Sequence, residues 1–247
     1  MTRDVRELGG AWTRHQRHAF AAPSADLARY VERYWIVSWE YAEPYRQLIV
    51  PYPNVHLTFR GGRGIVTGVS SGHQVRILAG VDEIFGVAFR PGCFRPFLGA
   101  PVSTITDRSI DAAEVFPGAL PDPLDLPTVE DYLRRRLPEP DPRAEEVAAI
   151  VARIADSPGL NRVDALADDL GLGVRGLQRL FAEYVGIGPK WVIRRYRLRE
   201  VTERLGRGEP VDWAVLAAEL GYADQAHFTR DFRKMFGEPP TRYAERY

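Results

Sequence analysis

The residues best suited to chemistry lie in the last third of the chain. Arg175, Gln178 and Arg179 fall at i, i+3 and i+4, so they share one face of any helix that contains them. About 50 residues later Gln225, Ala226, Thr229 and Arg230 follow the same period. Arginine bonds guanine bidentately, glutamine bonds adenine, and threonine packs on the methyl of thymine. Two such faces are equipped to read base edges in a major groove. Arg179 and Arg230 suit phosphate equally well, and the plainer reading of both faces is solvated helix.

What must position the two faces is an internal repeat. The first copy runs Ala167-Asp-Asp-Leu170-Gly171, then Arg179, Phe181, Gly186 and Pro189. The second runs Ala217-Ala-Glu-Leu220-Gly221, then Arg230, Phe232, Gly237 and Pro240. Each copy predicts helix, tight turn, helix. Ala167 and Ala217 are small enough for two helices to approach, and Gly171 and Gly221 stand where the first helix must stop and the chain reverse. Helices are predicted over residues 163–170, 174–184, 212–220 and 224–236. The inward stripe is Leu177, Leu180, Phe181 and Tyr184 in copy one, and Phe228, Phe232, Met235 and Phe236 in copy two. This is a helix-turn-helix pattern with the second helix of each pair as reader. Gly173 has no side chain to cap the first reader, whereas Asp224 caps the second.

Between the copies, residues 189–205 predict one helix with Pro189 in its first turn. At ~1.5 Å per residue it spans roughly 25 Å, a length that holds two readers near one DNA turn apart. Residues 174–204 carry eight Lys/Arg against three acids. That local excess predicts a phosphate-facing strip, with Arg195 on the linker helix touching phosphate rather than bases.

The chain before Leu137 reads differently. Short aromatic and β-branched runs cover residues 33–41, 46–52, 54–59, 64–69, 73–80 and 84–89, punctuated by Gly, Pro and Asn. They predict an antiparallel, β-rich, barrel-like domain. Alternation places Val55, Leu57 and Phe59 on one strand face and His56, Thr58 and Arg60 on the other. Short helices are expected at residues 24–30, 111–116 and 128–136. Proline-rich residues 137–143 predict a linker, and residues 145–156 open the helical part with Val147, Ile150, Val151 and Ile154 at helical spacing. The expected fold class is α+β. Residues 1–137 form the β-rich domain, 138–143 the linker, and 144–247 an all-α domain with two helix-turn-helix motifs joined by a linker helix.

Trp35, Trp39, His56 and Phe89 are candidates for lining a small-molecule cavity; packed core is the alternative. His15 and His18 have metal-ligand spacing without a carboxylate or cysteine beside them, so a mobile terminal segment is expected and no metal or other cofactor. Cys93 reads as a small buried hydrophobe, with a redox switch as the alternative. Gly61–Gly64 reads as a hairpin turn. No phosphate loop, nucleophile elbow or Ser/His/Asp spacing points to an enzyme.

Composition sets the outer limits. A chain of 247 residues, 45% hydrophobic and 27% charged, is ordinary for one or two globular domains. Zero formal net charge excludes a polycation that coats nucleic acid. A single cysteine excludes an intrachain disulfide framework and favours the reducing cytoplasm. No apolar run reaches the ~18 residues of a membrane span, and the polar start lacks the apolar stretch of a secretory signal.

Residues 145–247 resemble the DNA-binding domain of the AraC/XylS family of bacterial transcription regulators. The resemblance rests on LAAELGYADQAHFTRDFRKMFGEPPTRY: Gly221-Tyr222, Phe228-x-Arg230-x-Phe232, Phe236-Gly237 and Pro240, with the first copy as the usual partner. Gly173 stands where the family usually has serine. Upstream, Tyr34-Trp35…Trp39, Pro51-x-x-Asn54…Leu57-x-Phe59 and Gly86-Val-x-Phe89-x-Pro91-Gly92 resemble a sensor-like domain found ahead of such readers. The resemblance implies a sequence-specific transcription regulator that binds double-stranded operator DNA, and RNA polymerase too if it is an activator. It implies an N-terminal domain that binds a small effector or only forms a homodimer. Arg175 and Ala226 are variable positions of the family, so the operator sequence does not carry over.

Overall fold

A computed structural model of the chain describes residues 15–157, 159–208 and 210–245. The first half is a six-stranded antiparallel sheet: β1 (Gln16–Ala21), β2 (Val31–Ile49), β3 (His56–Arg60), β4 (Arg63–Thr67), β5 (Gln74–Phe89) and β6 (Ser109–Asp111). Its order is β1-β2-β5-β3-β4-β6. Two strands are longer than the sequence suggests. Pro44 and Gly80 divide the hydrophobic pattern, yet β2 and β5 pair along most of their length, with a register shift between Tyr41 and Tyr45. Pro44, which has no N–H to give, sits inside that irregularity. The segment around His18, expected to be mobile, is edge strand β1, paired with Tyr34–Trp39. Residues 24–30 are turns rather than helix, since Ser24 Oγ bonds Asp26 Oδ1 at 2.7 Å and the chain closes from Leu27 N–H to the Ser24 carbonyl.

Alternation gives the sheet two faces. Leu57, Phe59, Val66, Phe85 and Val87 face a buried core. Against it lie α1 (Arg95–Leu98), 3-10 turns at Val102–Ile105 and Ala112–Glu114, and α2 (Leu126–Arg134). Phe89 shares the register of Phe85 and Val87 and packs here. It is 0% exposed, 4.8 Å from the Phe94 ring and 5.3 Å from Phe97. It therefore does not line a cavity on the opposite face, which corrects the expectation from sequence.

The second half is helical: α3 (Pro142–Asp156), α4 (Val163–Asp169), α5 (Val174–Tyr184), α6 (Pro189–Gly206), α7 (Trp213–Glu219), α8 (Gln225–Phe236) and α9 (Pro240–Ala244). α3 starts earlier than expected because Asp141 accepts from the Arg143 and Ala144 N–H groups and Pro142 suits the first turn. α9 follows Pro239 and carries Tyr243 onto Phe232 and Phe236. α6 is the central helix, burying Trp191, Val192, Leu198, Val201 and Leu205. One apolar core runs through both halves, from Leu57 and Phe89 to Val147, Val192 and Phe236. Cys93 lies in it, 4.0 Å from the Ala144 carbonyl, and burial pushes its thiol up to about 11. A thiol so disposed stays protonated, which argues for the buried hydrophobe over the redox switch. Among the described residues no helix is long and apolar enough to cross a membrane.

Candidate nucleic-acid interface

The repeat in the sequence is a repeat in geometry. In both copies the first helix ends on a glycine of positive φ, 64° at Gly171 and 71° at Gly221. In both, the following residue bonds back across the turn: Leu172 N–H to the Ala167 carbonyl at 2.8 Å, Tyr222 N–H to the Ala217 carbonyl at 2.9 Å. Left-handed glycine makes that reversal possible, and buried Ala167 and Ala217 let the next helix cross closely. The caps differ. Gly173 gives α5 no side-chain bond, whereas Asp224 accepts from His227 N–H at 2.6 Å and Asp212 caps α7.

Leu177 and Phe181 anchor α5 in the core, and Phe228, Phe232, Met235 and Phe236 anchor α8. Arg175, Gln178 and Arg179 are exposed on α5; Gln225, Ala226 and Arg230 are exposed on α8, with Thr229 half-buried beside them. The nearby acids are engaged elsewhere. Glu183 pairs with Arg95 at 2.9 Å, and Asp231 with Arg194 at 3.1 Å. Among the described residues no carboxylate pairs with Arg175, Arg179 or Arg230. Exposed, unpaired cations on two matching helix faces are what a polyanion needs. Among the described residues Lys190, counted in the basic excess of residues 174–204, is also exposed and without an acid partner, as is Arg233, which sequence reasoning does not single out.

The basic strip expected on α6 is not one. Arg199 pairs with Glu203 at 2.8 Å, Arg204 with Glu200 and Glu219, and Arg197 donates to the Asn161 carbonyl. Arg195 is 1% exposed and cannot touch phosphate. Its Nε donates to the Pro51 carbonyl at 2.6 Å, and its guanidinium lies 3.8 Å from the Tyr52 ring and 5.5 Å from Phe236. It is a bridge between the sheet and the helices. The bridge is broader than one residue: Trp191 Nε1 donates to the Ser71 carbonyl at 2.8 Å, Thr106 Oγ1 donates to the Gly186 carbonyl, and the His73 ring meets the Lys234 carbonyl at 3.2 Å.

Pro51 and Tyr52 also edge a cavity of about 280 Å³ on the sheet face opposite the core. Trp35, Trp39, His56 and Arg60 meet there. Trp35 is paired with Gly86, where a Cβ would lie 1.9 Å from the indole, so only glycine leaves room for the ring to lie across β5. Trp35 Nε1 donates to His56 Nδ1 at 3.2 Å, which fixes the imidazole. Trp39 is 4% exposed and donates to the Ala79 carbonyl at 3.3 Å.

Comparison with known proteins bears on both halves. A family model described as a helix-turn-helix domain matches residues 166–246. The probable transcription factor PqrA of Proteus vulgaris is 31% identical over 86 residues, which are 34% of this chain and 68% of PqrA. The chain belongs to the AraC family of transcription regulators. The transcriptional activator RhaS of Pectobacterium atrosepticum is 33% identical over 75 residues, 30% of this chain and 26% of RhaS. The chain thus spans about a quarter of the length of RhaS. Residues 19–111 match a model for a domain of unknown function, DUF6597. Among solved structures, ToxT of Vibrio cholerae is similar with a TM-score of 0.44 and 9% identity, over 94% of this chain and 98% of ToxT. The C-terminal domain of AraT from Geobacillus stearothermophilus has a TM-score of 0.35 and 22% identity, over 40% and 85%.

Proposed function

We propose that this AraC-family chain reads an operator with α5 and α8 in successive major-groove segments, while residues 1–137 sense a small effector and residues 144–247 act as the reader. The observation that carries the reading is the pair of matched turns presenting unpaired Arg175, Arg179 and Arg230 on exposed helix faces. Arg175, Gln178, Gln225 and Thr229 supply base contacts, with Ala226 leaving space beside a base edge. Arg179 and Arg230 take bases or phosphates. Lys190 and Arg233 add phosphate contacts, and Arg195 takes no part in them.

The effector reading rests on the cavity between Trp35, Trp39 and His56. A domain that served only to dimerise would need no such space. Its edge residues Pro51 and Tyr52 hold Arg195 of α6, so a ligand that shifts them also moves the helix between the two readers. Coupling of that kind is reciprocal: effector changes operator affinity, and operator changes effector affinity by the same factor. The test is selection of bound sites from random DNA by the full chain, followed by footprinting. The expected footprint covers two major-groove segments about 10 base pairs apart. Protection of a single groove segment overturns the two-reader arrangement.

A further inference from the structure

The cavity has a charge character that its aromatic walls conceal. Among the described residues its lining carries no Asp or Glu, yet it includes Arg33, Arg60 and Arg76 together with His18 and His56. Arg60 has an acid partner, since it pairs with Asp82 at 2.8 Å, and it lies 4.9 Å from the Trp39 ring. Arg33 lies 4.9 Å from the Phe20 ring. Arg76 is different. It stands on β5 opposite Gln47, half-buried, and its side chain has neither a hydrogen bond nor an ion pair with any described residue. Burial first, and the Arg60 charge second, hold its pKa below the ordinary guanidinium value. A guanidinium drawn partly out of water beside another cation is held at a cost that a bound anion would offset.

The remaining lining mixes apolar side chains with uncharged polar ones, Gln16, Gln47, Asn54, Thr58, Ser70 and Gln74 among them. Trp35, Val37 and Trp39 project from alternate positions of β2, with Ile84 and Leu78 from β5 beside them. The amides nearest Arg76 are committed: Gln47 Nε2 donates to the Leu48 carbonyl, and Gln47 Oε1 accepts from Gln16. Arg76 therefore has donors to spare, and a carboxylate matches its fork bidentately.

We infer that the cavity takes a monoanionic amphiphile: a small molecule whose planar apolar body lies against Trp35 and Trp39 and whose carboxylate is held by Arg76. This deepens the effector reading above and rests on it. Cations are excluded as ligands by the positive charge of Arg76.

The probes are trans-cinnamate and trans-cinnamamide, which share a planar body and differ in charge, titrated calorimetrically into the full chain. Cinnamate is expected to bind at least about tenfold more tightly than the amide, as a charged hydrogen bond implies. In Arg76→Gln its affinity is expected to fall to that of the amide, and in Arg76→Lys the preference is expected to persist in weaker form. Circular dichroism of both variants confirms that the sheet is intact. Equal binding of the two probes, or a preference that survives Arg76→Gln, overturns the anion assignment and leaves the effector reading standing. Binding of neither probe overturns both.

Discussion

The two helix-turn-helix units share a turn but are held in place by different means. The second supports itself. Asp212 and Asp224 cap its helices, and Phe228, Phe232, Phe236 and Tyr243 stack within it, with Phe232 and Phe236 only 4.1 Å apart and nearly parallel. It reaches the sheet at the end of α8, where His73 meets the Lys234 carbonyl. The first unit has no side-chain cap on α4 or α5. The end of α5 is instead clasped by the β-rich half, through Arg95 to Glu183 and Thr106 to the Gly186 carbonyl. A reader that carries its own aromatic core keeps its geometry when the sheet shifts. A reader fastened to the sheet does not, so the first unit is where a change in the sheet is felt most.

The largest effect that sharpens this contrast is in the aromatic stack. Phe232→Ala should destabilise the protein by about 3–5 kcal/mol, the range for deleting a buried aromatic ring. Denaturant unfolding measures it, and the residual DNA binding should retain the α5 half-site while losing the α8 one. Arg195→Ala comes next. Losing its bond to Pro51 and its packing on Tyr52 should cost about 2–3 kcal/mol. The slope of log affinity against log salt should stay as in the parent, because the side chain meets no phosphate; a slope flatter by about 0.9 would restore it to the DNA surface. The smallest effects lie at the caps. Asp224→Ala should cost about 1 kcal/mol, while Gly173→Ser should gain a few tenths. Gly173 already has extended backbone angles and a Cβ there meets nothing within 4 Å, so serine fits without strain. Equal and opposite responses at the two caps would mean the units are not held differently.

Much of this was legible in the sequence wherever a local rule governs. The bounds of α5 are those the apolar period predicts, and the turn glycines follow from the repeat. Trp35, Trp39 and His56 meet because alternation places them on one sheet face. The failures share a cause, which is partners distant in sequence. The arginines of α6 look like a phosphate strip until Asp231, Asn161 and the Pro51 carbonyl are seen to satisfy them. Residue type alone points Phe89 to the cavity, but the pleat of β5 sends it to the core with Phe85 and Val87. Arg76 was passed over because nothing in its neighbourhood along the chain shows that it will lack an acid.

The measurement that bears most directly on the central claim uses a selected operator and a panel carrying each single-base change. Binding of the parent, Arg175→Ala and Gln225→Ala is measured across that panel. Each variant should lose discrimination at one position, by about 1–3 kcal/mol, and the two positions should lie about 10 base pairs apart. If both variants instead weaken every sequence equally, α5 and α8 touch only the backbone, and the reading of two base-specific faces is wrong.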